Sequence, residues 1–182
     1  MADVIELLEH DHREVEEMFA EFDHATTTED KRSIADKIII ELVRHSEAEE
    51  QAVYPMMAKK IDGGKELVEH EIDEHSEAEK IMKQIDKLDR DDPSLGVLMG
   101  QLKAAILQHV QEEEGEAFPK FRAATTDEER EKLGTVVQGL KKIVPTHPHP
   151  MAPDHPPFNA LLAPGAALVD RVRDMLTGRG KD

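Results

Sequence analysis

The chain has 182 residues, enough for one domain with some length to spare, and its 40 acidic against 23 basic residues give a formal net charge of -17. That balance argues against nucleic acid and anionic membrane surfaces as partners, since both need a basic face, and the absence of cysteine excludes disulfides and thiolate metal sites. No apolar run approaches the roughly 20 residues that cross a bilayer, and the opening MADVIELLEHDH lacks the basic start and apolar run of a signal peptide, so a cytoplasmic protein is expected.

Helix formers dominate and aromatics are scarce, which predicts an all-α protein with an aliphatic core. In chain order, amphipathic periodicity predicts helices over 3–23, 30–57, 64–89 and 94–122. The links ATTTED, IDGGK and RDDPS are short and turn-like, so the four helices should run up-down-up-down as antiparallel neighbours in a bundle. A fifth helix is expected over 127–143, capped by Thr126 or Asp127, with Leu133, Val136, Val137 and Leu140 as its apolar stripe. The proline-rich 144–157 cannot be helical and should run extended, and LVDRVRDML suggests a short helix near 165–177. This divides the chain into a bundle at 1–123 and a C-terminal helical and proline-rich extension at 124–182.

The four helices contain a repeat. His45 to Pro55 reads HSEAEEQAVYP and His109 to Pro119 reads HVQEEEGEAFP, both His-x-x-x-Glu-Glu-x-x-x-aromatic-Pro, offset by 64 residues. DHREVEEM around His12 and EHSEAEKIM around His75 match more weakly at an offset of 63. A helix turns about 100° per residue. On that wheel Leu8, Val15 and Phe19 flank His12; Ile38, Leu42, Ala48, Ala52 and Met56 surround His45; Ile72, Ala78 and Met82 flank His75; and Leu98, Leu102 and Ile106 surround His109. Each helix therefore buries one of the ten histidines in an apolar face. Glu49 and Glu113 lie four residues beyond His45 and His109 and share their faces. Two unpaired buried carboxylates would cost several kcal/mol each, and a metal is the natural compensation. A sulfur-free set of imidazoles and carboxylates suits iron, manganese or zinc. Glu41, four before His45, also faces inward and could accept from an imidazole N–H. The acidic runs EAEE and QEEEGE read as solvated faces apart from their ligand positions.

The pattern His12, His45-x-x-x-Glu49, His75, His109-x-x-x-Glu113, with its EE-x-x-x-Tyr-Pro and EE-x-x-x-Phe-Pro companions, resembles the hemerythrin-like, or HHE cation-binding, family over roughly residues 1–123. The resemblance implies a bundle holding two iron ions bridged by an oxo or hydroxo group and by two carboxylates. Glu49 and Glu113 would be the bridges and the four histidines the terminal ligands. It also implies small-molecule partners, namely oxygen, peroxide or nitric oxide.

Two positions depart from that family. Its oxygen carriers have His-x-x-x-His on the third helix, whereas here Glu71 stands four before His75 and His70 stands five before. Either His70 reaches the metal through a π-bulge or Glu71 takes the place. Tyr54, the one tyrosine, matches Phe118 in the repeat. An ideal wheel puts it half a turn from His45 and makes it a core aromatic, while Pro55 could bend the chain and swing the phenol toward a metal. His147, His149 and His155 read as a polar linker, and His10 and His24 as surface positions. An anionic Glu71 or Tyr54 would favour Fe(III), which suits a di-iron protein consuming hydrogen peroxide, or nitric oxide, in oxidative or nitrosative stress. A non-enzymatic protein that binds or senses oxygen or iron is the alternative expectation.

Overall fold

The structure, a computed structural model, describes residues 2–143; the expected linker histidines, extended segment and terminal helix lie outside them. Helix α1 runs Val4–His24, with the Asp3 carboxylate accepting from the Ile5 N–H at 2.9 Å as its cap. Helix α2, Thr28–Ala48, is capped by Thr27 and begins two residues before the sequence signal. It passes through a π turn at Glu49–Val53 into α3, Tyr54–Lys60. Gly63, at φ 70°, turns the chain into α4, Gly64–Asp86. A β-carbon on Gly64 would stand 2.5 Å from the Met57 carbonyl oxygen, so this tight corner needs glycine. Helix α5, Leu95–Glu112, passes through a second π turn, Glu113–Ala117, into α6, Phe118–Ala124. Helix α7, Asp127–Leu140, opens with a Thr126/Glu129 capping box.

The architecture is an all-α, up-down-up-down four-helix bundle formed by α1, α2–α3, α4 and α5–α6, and no strand occurs among the described residues. None of these helices is long and apolar enough to cross a membrane.

The π turns have a covalent cause. Pro55 and Pro119 lack an N–H, and in an α-helix their rings would strike the carbonyls four residues back. Widening the helix by one residue relieves that clash: the Tyr54 N–H donates to Glu49 O and the Phe118 N–H to Glu113 O, both five residues back. The buried face slips with it. Val53, Tyr54 and Met57 are buried where the ideal wheel chose Ala52 and Met56, which are only partly covered.

Two apolar clusters fill the bundle, one around Phe19, Ile38, Met82 and Leu102 and the other around Ile5, Leu8, Met57 and Phe121. On α1, Leu8 belongs to the second and Val15 to the first, with His12 between. The polar site is the layer between two hydrophobic plugs.

Helix α7 packs on α1. Arg130, 4% exposed, donates to Asp3 Oδ2 at 2.6 Å and to the Thr125 carbonyl at 2.9 Å. Lys141 just beyond it bonds Asp11 Oδ1 at 2.6 Å. The expected stripe holds at Leu133 and Val137 but fails at Val136, which is 51% exposed. Gly134 takes the contact instead, because a β-carbon there would meet the Ala2 carbonyl oxygen at 2.3 Å.

Candidate metal centre

Four imidazoles turn their Nε2 atoms toward one another in two pairs. His12 Nε2 lies 3.2 Å from His45 Nε2, and His75 Nε2 lies 3.2 Å from His109 Nε2. A carboxylate spans each gap between the pairs. Glu49 Oε2 is 3.1 Å from His45 Nε2 and 3.4 Å from His75 Nε2. Glu113 Oε2 is 3.4 Å from both His12 Nε2 and His109 Nε2. All six side chains are buried, the two glutamates completely. The four-way meeting expected from the repeat is thus a symmetric cluster in which each glutamate faces one histidine from either hairpin.

Each imidazole also has an outward partner, and these obey the same symmetry. The Nδ1 atoms of His45 and His109 contact Asp11 at 3.2 Å and Glu74 at 2.9 Å, the residues before His12 and His75 on the neighbouring helices. The Nδ1 atoms of His12 and His75 contact Glu114 at 2.8 Å and Glu50 at 3.0 Å, the residues after Glu113 and Glu49. With Nδ1 donating outward, a neutral imidazole would present its Nε2 lone pair inward, the tautomer a metal ligand requires. Sequence reasoning missed all four partners. It read Glu50 and Glu114 as solvated face and offered Glu41, which instead accepts from Arg44 at 2.8 Å. The available signal was adjacency: a carboxylate beside every inward ligand, repeated at the 63- and 64-residue offsets.

The two halves then diverge. Phe118 stacks on His12 with ring centroids 5.8 Å apart and planes 6° from parallel. Its counterpart Tyr54 stacks on His75 at 5.4 Å and carries a hydroxyl 3.2 Å from His75 Nε2, donating to Glu113 Oε1 at 3.1 Å. The π turn, rather than a bend at Pro55, brings the phenol inside. Leu8 is buried in the first half where Glu71 is buried in the second. Glu71 Oε2 lies 3.2 Å from His109 Nδ1, on the outward side of that ring. Helix α4 contains no π turn, and His70 points out of the bundle, its side chain 54% exposed and 2.8 Å from Glu112 Oε2.

The electrostatics ask for a cation. Burial disfavours a charged His45, but Glu49 and Asp11 overcome it and raise the imidazole to about 10. Burial likewise opposes charge on His75 and His109, yet Glu49 and Glu50 raise the one and Glu113, Glu71 and Glu74 the other. Burial works against a charged Glu49, and the His45 and His75 imidazoles nevertheless hold it well below the usual carboxylate range. Tyr54 is pushed well up by burial and by the Glu113, Glu49 and Glu71 carboxylates. Both oxygens of Glu49, with Glu113 Oε2 and Glu71 Oε2, are buried and meet no donor in hydrogen-bonding geometry. Orphaned buried oxygens opposite imidazole nitrogens fit a metal ion, and His12, His45, Glu49 and Glu113, and likewise Glu49, His75 and His109, each could hold one. A cavity of about 30 Å³ adjoins all four histidines, walled by apolar residues including Val15, Leu42, Met82 and Ile106.

The family model described as the hemerythrin HHE cation binding domain matches residues 3–121. An uncharacterized hemerythrin-like protein of Schizosaccharomyces pombe is 29% identical over 167 residues, covering 91% of this chain and 82% of its own length. A Nostoc protein named DNA nickase is 26% identical over 131 residues, which are 72% of this chain but 37% of that protein. A solved hemerythrin HHE cation binding domain-containing protein from Mycobacterium kansasii shares the fold at a TM-score of 0.68 and 21% identity, over 78% of this chain and 86% of that one.

Proposed function

We propose a di-iron, peroxide-consuming centre from one premise: the chain belongs to the hemerythrin HHE cation-binding domain family. In this reading His12 and His45 bind one iron and His75 and His109 the other. Glu49 and Glu113, each within 3.4 Å of one imidazole of either pair, would be the ligands shared between them. Tyr54 is a further ligand on the His75/His109 side. The Tyr54 hydroxyl stands 3.2 Å from His75 Nε2 and 3.1 Å from Glu113 Oε1, within reach of an ion those two side chains would hold. Glu71 and His70 are not ligands in this reading.

The observation that carries the function is the contrast between the halves, phenol and carboxylate in one against Phe118 and Leu8 in the other. Iron, when bound, supplies the redox couple that takes up and returns the two electrons exchanged between two peroxide molecules. The protein does the rest. The Tyr54 hydroxyl, which donates to Glu113, would lose its proton on binding iron and act as an anionic ligand that favours Fe(III). Asp11, Glu50, Glu74 and Glu114 hold the imidazoles in orientation. The apolar cavity beside the histidines admits a molecule the size of peroxide and little bulk water. Two peroxides then yield dioxygen and two waters, so no outside electron donor is needed.

The role is defence against oxidative stress in the cytoplasm, with nitric oxide as a second small-molecule partner. An oxygen electrode tests the reading: iron-loaded protein given hydrogen peroxide should evolve one dioxygen per two peroxides over many turnovers. Reversible oxygenation without peroxide turnover would support the carrier or sensor instead.

A further inference from the structure

The carboxylates and imidazoles of the α4/α5 face form a chain of donor groups that runs from solvent to the buried cluster. At its outer end His70 Nε2 lies 2.8 Å from Glu112 Oε2 and 3.9 Å from Glu74 Oε1. Glu74 turns its other oxygen inward, 2.9 Å from His109 Nδ1, and Glu71 Oε2 lies 3.2 Å from the same nitrogen. His109 then reaches the inner cluster through Nε2. The three groups of possible ligands, His70/Glu74/Glu112, Glu71/Glu74/His109 and Glu49/His75/His109, each share a residue with the next.

Glu71 distinguishes this arrangement from an ordinary acidic surface. It is 1% exposed, and its Oε2 accepts no hydrogen bond although it faces the gap between Glu74 and His109. With only His109 Nδ1 near it, at 3.2 Å and outside hydrogen-bonding geometry, this buried oxygen is poorly compensated and favours a visiting cation. The Gln108 amide donates to Glu112 at 3.0 Å and to Glu74 at 3.4 Å, which steadies the outer pair.

The opposite face provides an internal control, because the repeat places the same backbone there with different chemistry. Leu7, Leu8 and Ala48 stand where His70, Glu71 and Glu112 stand here, and Arg44 replaces Gln108. Asp11, the counterpart of Glu74, is met by Lys141 at 2.6 Å, and α7 packs over Leu7. One face is sealed and already neutralised. The other opens on a groove lined by His70, Asp73, Glu74 and Glu77, where Lys80 pairs with Glu77 at the edge and, among the described residues, leaves Glu74 unmet by lysine.

We propose that this open face is the entry route by which a divalent cation, Fe(II), loads the buried centre. His70, Glu112 and Glu74 capture the ion, and Glu71 and Glu74 hand it to His109. This rests on the metal-centre reading above. The ion keeps its oxidation state throughout.

The test is anaerobic uptake of Fe(II) by the metal-free full chain, timed by quenching with a chelator that counts the iron still free. His70→Ala and Glu112→Gln should slow loading about tenfold, the scale on which a charged approach alters on-rates, while final iron content stays at the wild-type value. A route serves both directions, so loss of iron to excess chelator should slow by the same factor. Glu77→Gln removes a charge from the same groove outside the relay and should leave both rates unchanged. Wild-type rates in His70→Ala and Glu112→Gln would overturn the proposal, as would equal slowing in Glu77→Gln. A wild-type chain that takes up no iron fails the metal-centre reading, a result these rates cannot mimic.

Discussion

Tyr54 and Phe118 occupy equivalent places in the two halves of the bundle, each stacked on a buried histidine, and differ by one oxygen atom that lies 3.1 Å from Glu113. That atom separates two otherwise similar halves of the histidine–glutamate cluster, and the first expectation concerns it.

Tyr54→Phe should keep its iron, since His75, His109 and both glutamates are untouched. If the phenolate binds Fe(III), the ferric wild type has a tyrosinate-to-iron absorption in the visible range, and the variant loses it. Peroxide turnover should fall as well, because the anionic donor that favours Fe(III) is gone. An unchanged spectrum with iron intact would leave the phenol as a packing residue.

His109→Ala removes an imidazole that contacts Glu113 through Nε2 and Glu74 through Nδ1. Metal analysis should show the iron content dropping from about two per chain to one or fewer, because the ion on that side loses one of its two imidazoles. Full iron content in this variant would mean that the four histidines are ordinary core groups.

The pH dependence of stability should differ between metal-free and iron-loaded protein. His45 is raised from 6.5 to about 10 in the folded metal-free chain. A group with a raised folded pKa stabilises fully below its unfolded value and loses that contribution as pH climbs through the folded one. The metal-free melting temperature should therefore decline between pH 7 and 10. The iron-loaded form, whose imidazoles are already neutral, should not show this decline, and loading iron at pH 7 should release protons measurable with an indicator dye. A flat metal-free profile across that range would contradict the imidazolium–carboxylate cluster.

Arg130→Ala tests the seam between α7 and α1. The guanidinium satisfies Asp3, Asp127 and the Thr125 carbonyl from a position 4% exposed. Its loss should cost about 2–3 kcal/mol, since it strands charged and carbonyl acceptors together. Iron content should be unchanged, as none of its partners touches the histidines. Thermal unfolding of both forms reads this directly.

The bundle and the inward histidines were legible in the sequence because hydrophobic periodicity and short links determine both. The histidine partners were not, because a wheel reports which way a residue points and not what stands opposite. Asp11 and Glu74 meet imidazoles on neighbouring helices, a fact of packing rather than of any one helix. The phenol of Tyr54 was misplaced because 100° per residue holds only for α-geometry, and the π turn ahead of it adds a residue without advancing the face. His70 and Glu71 divided on the same point in reverse. With α4 regular, Glu71 four residues before His75 is buried and His70 five before is not.

The two π turns sit at matching positions, each running from the bridging glutamate to the residue before the aromatic. The proline, the widened turn and the outward carboxylates are common to both halves, whereas the phenol and the roof of α7 each belong to one. A pair of identical hairpins would have to present the same surface on both sides. One continuous chain lets the sides differ, so one is roofed while the other keeps a polar approach to the same buried cluster.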